Sequence, residues 1–216
     1  MAQVIAVMGE SGAGKTTAMR TLPPEETMYI DADGKGLSWK GWRSQYNKDK
    51  RNYLRTSKND VILSALAKIH DDKDFAHIKY VVVDTFNGCM IDDEMERMKE
   101  KGYDKWADLA AAIYGTIGFM LRLREDVTCI CIFHSQTERD DLGNVWTRIK
   151  TNGRKLDKIV VESKFTSVLW AKCIDGQHVF EVHANNSTAK TPMGAFEEQT
   201  VPNDMYEVIR RLEEYR

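Results

Sequence analysis

The chain has 216 residues, of which 42% are hydrophobic and 30% are charged, and its formal net charge is −2. This composition is typical of a folded globular protein and excludes a disordered chain, while the balanced charge excludes a surface that is basic throughout. No apolar run approaches the ~20 residues of a membrane-spanning helix, and the first residues lack the features of a signal peptide. We therefore expect a cytoplasmic protein without membrane contact. We expect it to form a single α/β domain, residues 1–216, in which residues 183–216 add a C-terminal loop and helix.

The first twenty residues contain the most informative motif. An apolar run from Val4 to Met8 predicts a buried strand, and a helix-compatible stretch runs from Thr16 to Leu22. The residues between them fit the phosphate-binding pattern G-x-x-x-x-G-K-[ST], the P-loop. In this pattern Lys15 reaches the β- and γ-phosphates, and the Thr16 hydroxyl binds Mg²⁺. We therefore predict ATP and Mg²⁺ as cofactors. The motif consists of Gly9, Glu10, Ser11, Gly12, Ala13, Gly14, Lys15, Thr16 and Thr17.

Two acids follow the second predicted strand. This strand runs from Thr27 to Ile30 and leads into Asp31 and Asp33. A later apolar run from Ile78 to Val83 is closed by Asp84, which in a P-loop protein completes the Mg²⁺ site beside Thr16. No glutamate follows Asp84, so hydrolysis needs another acid to position water. Asp33 is our preferred catalytic residue, and Asp31 is its competitor.

A basic and aromatic stretch occupies residues 35–58. Three roles remain open for it: binding DNA, stacking on adenine, or covering the core. Asp60 follows this stretch and is expected to cap a helix.

Further helices and strands complete an alternating pattern. The run from Val127 to Phe133 is apolar throughout, as expected of a central parallel strand that is covered on both faces. The pattern predicts a mostly parallel α/β sheet with its ligand at the carboxyl ends of the strands. The remaining predicted elements are helices from Met90 to Lys101, Trp106 to Arg124 and Lys155 to Ser163, a loop at 134–152, a hairpin of Val168 to Ile174 with His178 to His183 around Asp175-Gly176, a loop at 184–202, and a helix from Asp204 to Tyr215 capped by Asn203.

The long loop at 134–152 and the residues after it carry a basic cluster near Trp146. Cations that contact phosphates together with an aromatic ring for stacking are typical of single-stranded DNA binding. A solvated charged loop is the alternative. The candidate DNA-binding residues are Arg148, Lys150, Arg154 and Lys155, with Lys158 nearby.

Four segments, in this order, resemble the RecA recombinases. Residues 28–33, Met-Tyr-Ile-Asp-Ala-Asp, are similar to the I-D-A-E segment, and residues 82–85, Val-Val-Asp-Thr, to V-V-D-S. Residues 132–136, Ile-Phe-His-Ser-Gln, are similar to a strand ending in F-I-N-Q, and residues 151–156, Thr-Asn-Gly-Arg-Lys-Leu, to T-x-G-G-x-x-L. With the segment Asp33-Gly-Lys-Gly-Leu-Ser-Trp39, the arrangement resembles most the short RecA-like ATPases of bacteriophages, some of which are described as single-strand annealing proteins.

The resemblance implies a RecA-like fold and several site residues. It implies that Asp33 is the catalytic carboxylate, and that Gln136 senses the γ-phosphate and leads into a DNA-binding loop. It also implies that Lys190 reaches the nucleotide of a neighbouring subunit in a ring or filament. The implied function is a Mg²⁺-dependent ATPase that acts on single-stranded DNA in phage recombination, annealing or replication, with single-strand-binding or replication proteins as possible partners.

Two other functions remain open at this point. A small-molecule or nucleotide kinase would use residues 137–158 as an arginine-rich lid over the γ-phosphate. A nucleotide-gated adaptor without catalysis, such as a helicase loader or a packaging accessory, would bind ATP tightly and bind a protein partner.

Overall fold

The computed structural model describes residues 1–102, 104–152 and 160–215. Within these residues the strands are β1 Gln3–Gly9, β2 Thr27–Asp31, β3 Tyr53–Arg55, β4 Tyr80–Asp84, β5 Thr128–Arg139, β6 Val145–Ile149, β7 Ser167–Ile174, β8 Gln177–Glu181 and β9 Thr200–Pro202. They form a nine-stranded sheet of order β3-β2-β4-β5-β1-β7-β8-β9, with β6 paired to the end of β5. The strands from β3 to β7 in this order pair in parallel, whereas β8 pairs antiparallel with β7, and β9 pairs antiparallel with β8.

Helices cover both faces of this sheet. They are α1 Lys15–Ala18, α2 Trp42–Gln45, α3 Asn59–Asp71, α4 Phe86–Glu96, α5 Asp104–Met120 and α6 Met205–Glu214. Alternate residues of β1 point to opposite faces, so Ala6 and Met8 pack in one core with α3, α4 and α5, whereas Ile5 and Val7 pack in the other with α1 and α6. This double burial explains why the central strands are apolar throughout. The predicted fold class is confirmed.

The register of the parallel strands brings their carboxyl ends to one edge of the sheet. Gly9 at the end of β1 lies opposite His134 in β5. Asp31 at the end of β2 lies opposite Asp84 at the end of β4. The P-loop and the acidic residues predicted from the sequence therefore share one edge.

The prediction of a loop at 134–152 was wrong. β5 continues to Arg139 and pairs with β6 in an antiparallel ribbon, which we call the β5–β6 hairpin (residues 135–149). The Asp140 side chain closes its turn by accepting hydrogen bonds from the backbone N–H groups of Leu142 and Asn144. Much of this ribbon is exposed, so its sequence lacks the apolar alternation that predicts strands.

The second predicted hairpin is confirmed. β7 and β8 pair around Asp175-Gly176, and both turn residues have positive φ, 50° and 78°. These angles fit the Asp-Gly turn of a two-residue hairpin. β9 was missed because it lies in the stretch predicted as a loop, residues 184–202.

Two predicted helix caps were wrong. α3 begins at Asn59 after Lys58, so Asp60 lies inside its first turn. α6 is capped by Asp204, whose carboxylate accepts a hydrogen bond from the N–H of Glu207 at 3.0 Å, and not by Asn203. Most of the helix predicted from Lys155 to Ser163 lies outside the described residues, and Val161–Lys164 forms a 3-10 turn.

The aromatic stretch at 35–58 covers one face of the sheet. Trp39 and Tyr46 pack edge-on against the buried Tyr29, with ring centroids 6.3 and 5.5 Å away. Of the three roles left open, the structure shows this covering role for these two rings.

The four cysteines, Cys89, Cys129, Cys131 and Cys173, are free thiols. Burial raises the pKa of Cys89 to about 12 and holds those of Cys129 and Cys131 well above the usual range, whereas Cys173 is exposed. In the described part of the chain, no helix has the length and apolar character needed to cross a bilayer.

Candidate nucleotide site

The P-loop curls around the side chain of Lys15. The Lys15 ammonium donates hydrogen bonds to the backbone oxygens of Gly9 at 2.8 Å and Glu10 at 2.7 Å. The loop bends at Gly12 and Gly14, where φ is 81° and 91°, angles that residues with a Cβ rarely adopt. Burial lowers the pKa of Lys15 to about 8, because it destabilises the charged form of the side chain in the free protein. A bound anion would stabilise that charged form.

A pocket of about 270 Å³ opens over this loop. Besides P-loop residues, four side chains line it that the sequence analysis did not select: Lys35, Ser38, His134 and His178. Burial and the nearby charge of Lys15 lower the pKa of His134, so its ring is neutral at neutral pH. The pocket combines backbone N–H groups and cations, a chemistry that suits phosphates.

Thr16 and Asp84, which the sequence predicts as a metal-binding pair, are in direct hydrogen-bond contact. The Thr16 hydroxyl donates to one oxygen of Asp84 at 2.7 Å, and the buried Tyr29 hydroxyl donates to the same oxygen at 2.7 Å. Burial raises the pKa of Asp84, although both hydrogen bonds oppose this shift. The other oxygen, Oδ1, is buried and has no hydrogen-bond partner among the described residues.

This pair fits Mg²⁺. The ion prefers hard oxygen ligands and usually takes one or two from the protein, with phosphates and waters as the rest. The Thr16 hydroxyl and the unpaired Asp84 oxygen supply such ligands. In the described ranges, no cluster of three or more acidic, histidine or cysteine side chains is placed to hold a metal.

The two candidate catalytic acids differ in their surroundings. Asp31 accepts hydrogen bonds from the backbone N–H groups of Gly34 and Gly36 and from the Tyr53 hydroxyl, so it fixes the loop after β2. Asp33 instead accepts from the ammonium of Lys35 at 2.5 Å and from the Thr85 hydroxyl at 2.8 Å. Asp33 is therefore linked to the pocket through its hydrogen bond with Lys35, which lines the pocket.

The start of α4 connects this site to the β5–β6 hairpin. Thr85 caps α4 and holds Asp33, and Asn87 lies in the first turn of the same helix. The Asn87 side chain accepts a hydrogen bond from the N–H of His134 at 2.7 Å and donates to the backbone oxygen of Lys150 at 3.0 Å. Asn87 was also missed, since only the folded chain brings its partners together.

Gln136 and Arg148, proposed for sensing and for DNA contact, lie on the hairpin, and Lys150 directly follows it. The Gln136 amide donates to Glu138 at 2.8 Å, and Arg148 forms an ion pair with the same carboxylate at 2.7 Å. Lys150 and Trp146 are exposed. The residue of β5 that lies opposite Gly9 in β1 is His134 and not Gln136. Arg154, Lys155 and Lys158 lie outside the described residues.

Lys190 lies on another part of the sheet. Its backbone forms an antiparallel bridge with Val168 in β7, and its side chain is half-buried. It does not line the P-loop pocket.

The sequence similarity agrees with this geometry. Residues 1–193 match the AAA domain family. The chain belongs to the AAA domain family. No curated protein matches this AAA domain. Proteins of the family are P-loop NTPases that typically bind ATP with Mg²⁺, and the matched range includes the P-loop, Asp33, Asp84 and the hairpin. The AAA domain is therefore an ATP-binding protein of the NTPase class.

Proposed function

We propose that this AAA domain is a Mg²⁺-dependent ATPase in which Asp33 positions the attacking water, and that its ATP state controls the binding of single-stranded DNA. The observation that carries the catalytic part is the environment of Asp33. Burial tends to raise its pKa, but the hydrogen bonds from Lys35 and Thr85 outweigh burial and hold the pKa below the ordinary value. The carboxylate is thus ionised at neutral pH and fixed in direction.

Each part of phosphoryl transfer has a residue in this arrangement. Lys15 and Lys35 neutralise the phosphate oxygens, and Mg²⁺, which Thr16 and Asp84 would hold, would supply further positive charge. Asp33 orients a water whose oxygen bonds to the γ-phosphorus while the bond to the bridging oxygen breaks. The proton of the water passes to the carboxylate, and the bridging oxygen leaves with ADP.

The DNA-binding part of the proposal rests on the hairpin and its link to the site. Trp146 on the ribbon is 45% exposed, and the exposed Lys150 directly follows the ribbon. These side chains suit a stacked base and a phosphate. Arg148 is paired with Glu138, so it must leave this partner before it contacts DNA. Asn87 joins the Lys150 backbone to that of His134 beside the P-loop pocket, which provides a route for a nucleotide-dependent shift.

The wider biological role is proposed on the resemblance to RecA-like phage ATPases. We propose action in phage recombination, annealing or replication, as a ring or filament of identical subunits, with single-strand-binding or replication proteins as partners. The residues considered as a kinase lid, 137–158, begin as a paired ribbon, which gives no specific support to a kinase.

The first experiment measures ATP turnover with and without single-stranded DNA at two salt concentrations. We expect turnover that requires Mg²⁺ and rises with DNA, and we expect Lys15→Ala to lose ATP binding while keeping its fold. Unchanged turnover in Lys15→Ala would contradict the site. Turnover that needs a small acceptor would indicate a kinase, and tight ATP binding without turnover would indicate an adaptor.

The second experiment titrates single-stranded DNA with and without a non-hydrolysable ATP analogue. Coupling between two ligands typically changes affinity by ~5–150-fold. Lys150→Ala should weaken DNA binding. It should also reduce by about 0.7 the slope of log binding constant against log salt concentration. Lys73→Ala is the matched control, because this exposed lysine precedes β4 and lies at the opposite edge of the sheet. Equal DNA affinity with and without the analogue would end the coupling proposal.

A further inference from the structure

An asparagine side chain next to the P-loop is buried, and the described part of the chain offers it no hydrogen-bond partner. Asn203 lies between β9 and α6, is 6% exposed, and its backbone oxygen accepts a hydrogen bond from Arg20 at 3.3 Å. Among the described residues, neither its Oδ1 nor its Nδ2 has a hydrogen-bond partner. Buried amides are almost always paired in native proteins, so an unpaired one needs an explanation.

The amide of Asn203 meets the P-loop at Gly14. A Cβ atom placed on Gly14 would lie 3.2 Å from Oδ1 of Asn203 and 3.0 Å from Nδ1 of His178. His178 lines the phosphate pocket, and its side chain is exposed at the start of β8. Asn203 and His178 therefore converge where the P-loop joins α1, beside the place where the phosphates are expected.

We propose that Asn203 and His178 form the subsite for the adenine base of the nucleotide. The Asn203 amide pairs with the 6-amino group and N7 of adenine, and the His178 ring, turned away from Gly14, lies against the face of the base. This inference rests on the ATP binding proposed above and adds the specificity for its base.

The two unpaired atoms distinguish a base from a phosphate. Phosphate oxygens only accept hydrogen bonds, so a phosphate would satisfy Nδ2 and leave Oδ1 unpaired. Adenine presents a donor at the 6-amino group beside an acceptor at N7, which matches the acceptor and donor of an asparagine amide. Guanine presents two acceptors at the same positions, O6 and N7, and matches only half of the amide.

The test compares the binding of ATP, GTP, 7-deaza-ATP, purine riboside triphosphate and inorganic tripolyphosphate to the intact protein. 7-Deaza-ATP lacks N7, and purine riboside triphosphate lacks the 6-amino group. We expect ATP to bind about 5- to 150-fold more tightly than each analogue and than GTP. In Asn203→Ala these nucleotides should bind with equal affinity. In His178→Ala all of them should weaken together, because stacking does not depend on the edge of the base.

Gln199→Ala is the matched control, since Gln199 is exposed on the same segment and its amide donates to the His183 backbone oxygen at 3.0 Å. It should keep the preference for ATP. An unchanged preference in folded Asn203→Ala, or equal binding of ATP and its analogues by the unmodified protein, would overturn the subsite. The comparison of ATP with its analogues in the unmodified protein tests the subsite even if Asn203→Ala does not fold. Tripolyphosphate binding as tight as ATP binding would overturn the base contacts and leave the phosphate site standing, whereas no binding of any nucleotide would overturn both proposals.

Discussion

The side-chain oxygen of Asn87 accepts a hydrogen bond from the backbone N–H of His134 at 2.7 Å. The amide nitrogen of the same side chain donates to the Lys150 backbone oxygen. Asn87 therefore joins β5, at the point where its parallel pairing with β1 ends, to the residue that follows the hairpin. Asn87→Ala would leave both partly buried backbone groups without this partner. We expect a loss of about 1–3 kcal/mol in the free energy of unfolding, measured with urea.

Asn87→Asp refines this prediction. It keeps an acceptor for His134 but loses the donor to Lys150, so nucleotide binding should survive while the effect of ATP on DNA affinity is lost. The exposed Asn185→Ala is the control and should change neither quantity. If Asn87→Ala is as stable as the unmodified protein, the connection carries little energy.

Asp33→Asn should retain ATP affinity and lose hydrolysis. Removing a group that positions water or accepts its proton typically lowers the rate by ~10²–10⁴. Asp31→Asn should act differently, because Asp31 accepts three hydrogen bonds that fix the loop after β2. Rates and unfolding curves of both variants separate the roles. A loss of turnover in Asp31→Asn with normal stability, and none in Asp33→Asn, would assign the role to Asp31.

Tyr29→Phe should weaken the binding of Mg²⁺ without removing a side chain that we expect to bind the ion. The Tyr29 hydroxyl orients Asp84, and groups that orient a metal ligand typically account for 10–100-fold in affinity or activity. We expect a rise of about this size in the Mg²⁺ concentration that gives half-maximal ATP turnover. Tyr53→Phe removes the equivalent hydroxyl from Asp31 and should leave the Mg²⁺ dependence unchanged. An equal effect of both substitutions would point to general loosening of the site.

Nucleotide binding should take up a proton above pH 8. The pKa of Lys15 is lowered by burial to about 8 in the free protein, and a phosphate anion favours the charged form and raises it again. Near pH 9 the free side chain is mostly neutral and the bound one is charged, so uptake approaches one proton and affinity falls as pH rises. Calorimetry in buffers of different ionisation enthalpy measures this uptake. Lys15→Arg stays charged throughout and should show none from this position.

Lys190 is proposed to act on the nucleotide of a neighbouring subunit. If it does, mixing Lys190→Ala subunits with Lys15→Ala subunits should partly restore ATP turnover, because each supplies what the other lacks. The experiment requires a mixture shown to co-assemble. Absence of rescue in such a mixture counts against a role in trans.

The parts of the site that the sequence predicted are those encoded by contiguous residues. The P-loop is one motif between a buried strand and a helix, and Asp84 directly ends an apolar strand, so each is visible without a structure. Tyr29, Lys35 and Asn87 act through partners from other elements, and only tertiary packing brings these pairs together. The β5–β6 hairpin was not predicted for a different reason. Its exposed strands bury little apolar surface, so they lack the apolar alternation that indicates a strand.

Asn203 and Asp204 show how local chemistry can leave two answers open. Both residue types are good helix caps, and either could have started α6. The structure gives the cap to Asp204, and the neighbouring asparagine is free to turn towards Gly14. The prediction was one residue away in sequence, and that single step separates a structural cap from a candidate nucleotide contact.

The contrast between the buried cysteines and Cys173 makes the native chain suitable for a spectroscopic reporter. Thiolates attack the double bond of maleimides, and burial suppresses thiolate formation at the three interior cysteines. Cys173 is exposed and lines a cavity of about 360 Å³ together with Glu10, Ser11 and Gly12 of the P-loop. A fluorophore attached there, without any engineered cysteine, would sit against the loop and report nucleotide occupancy in real time.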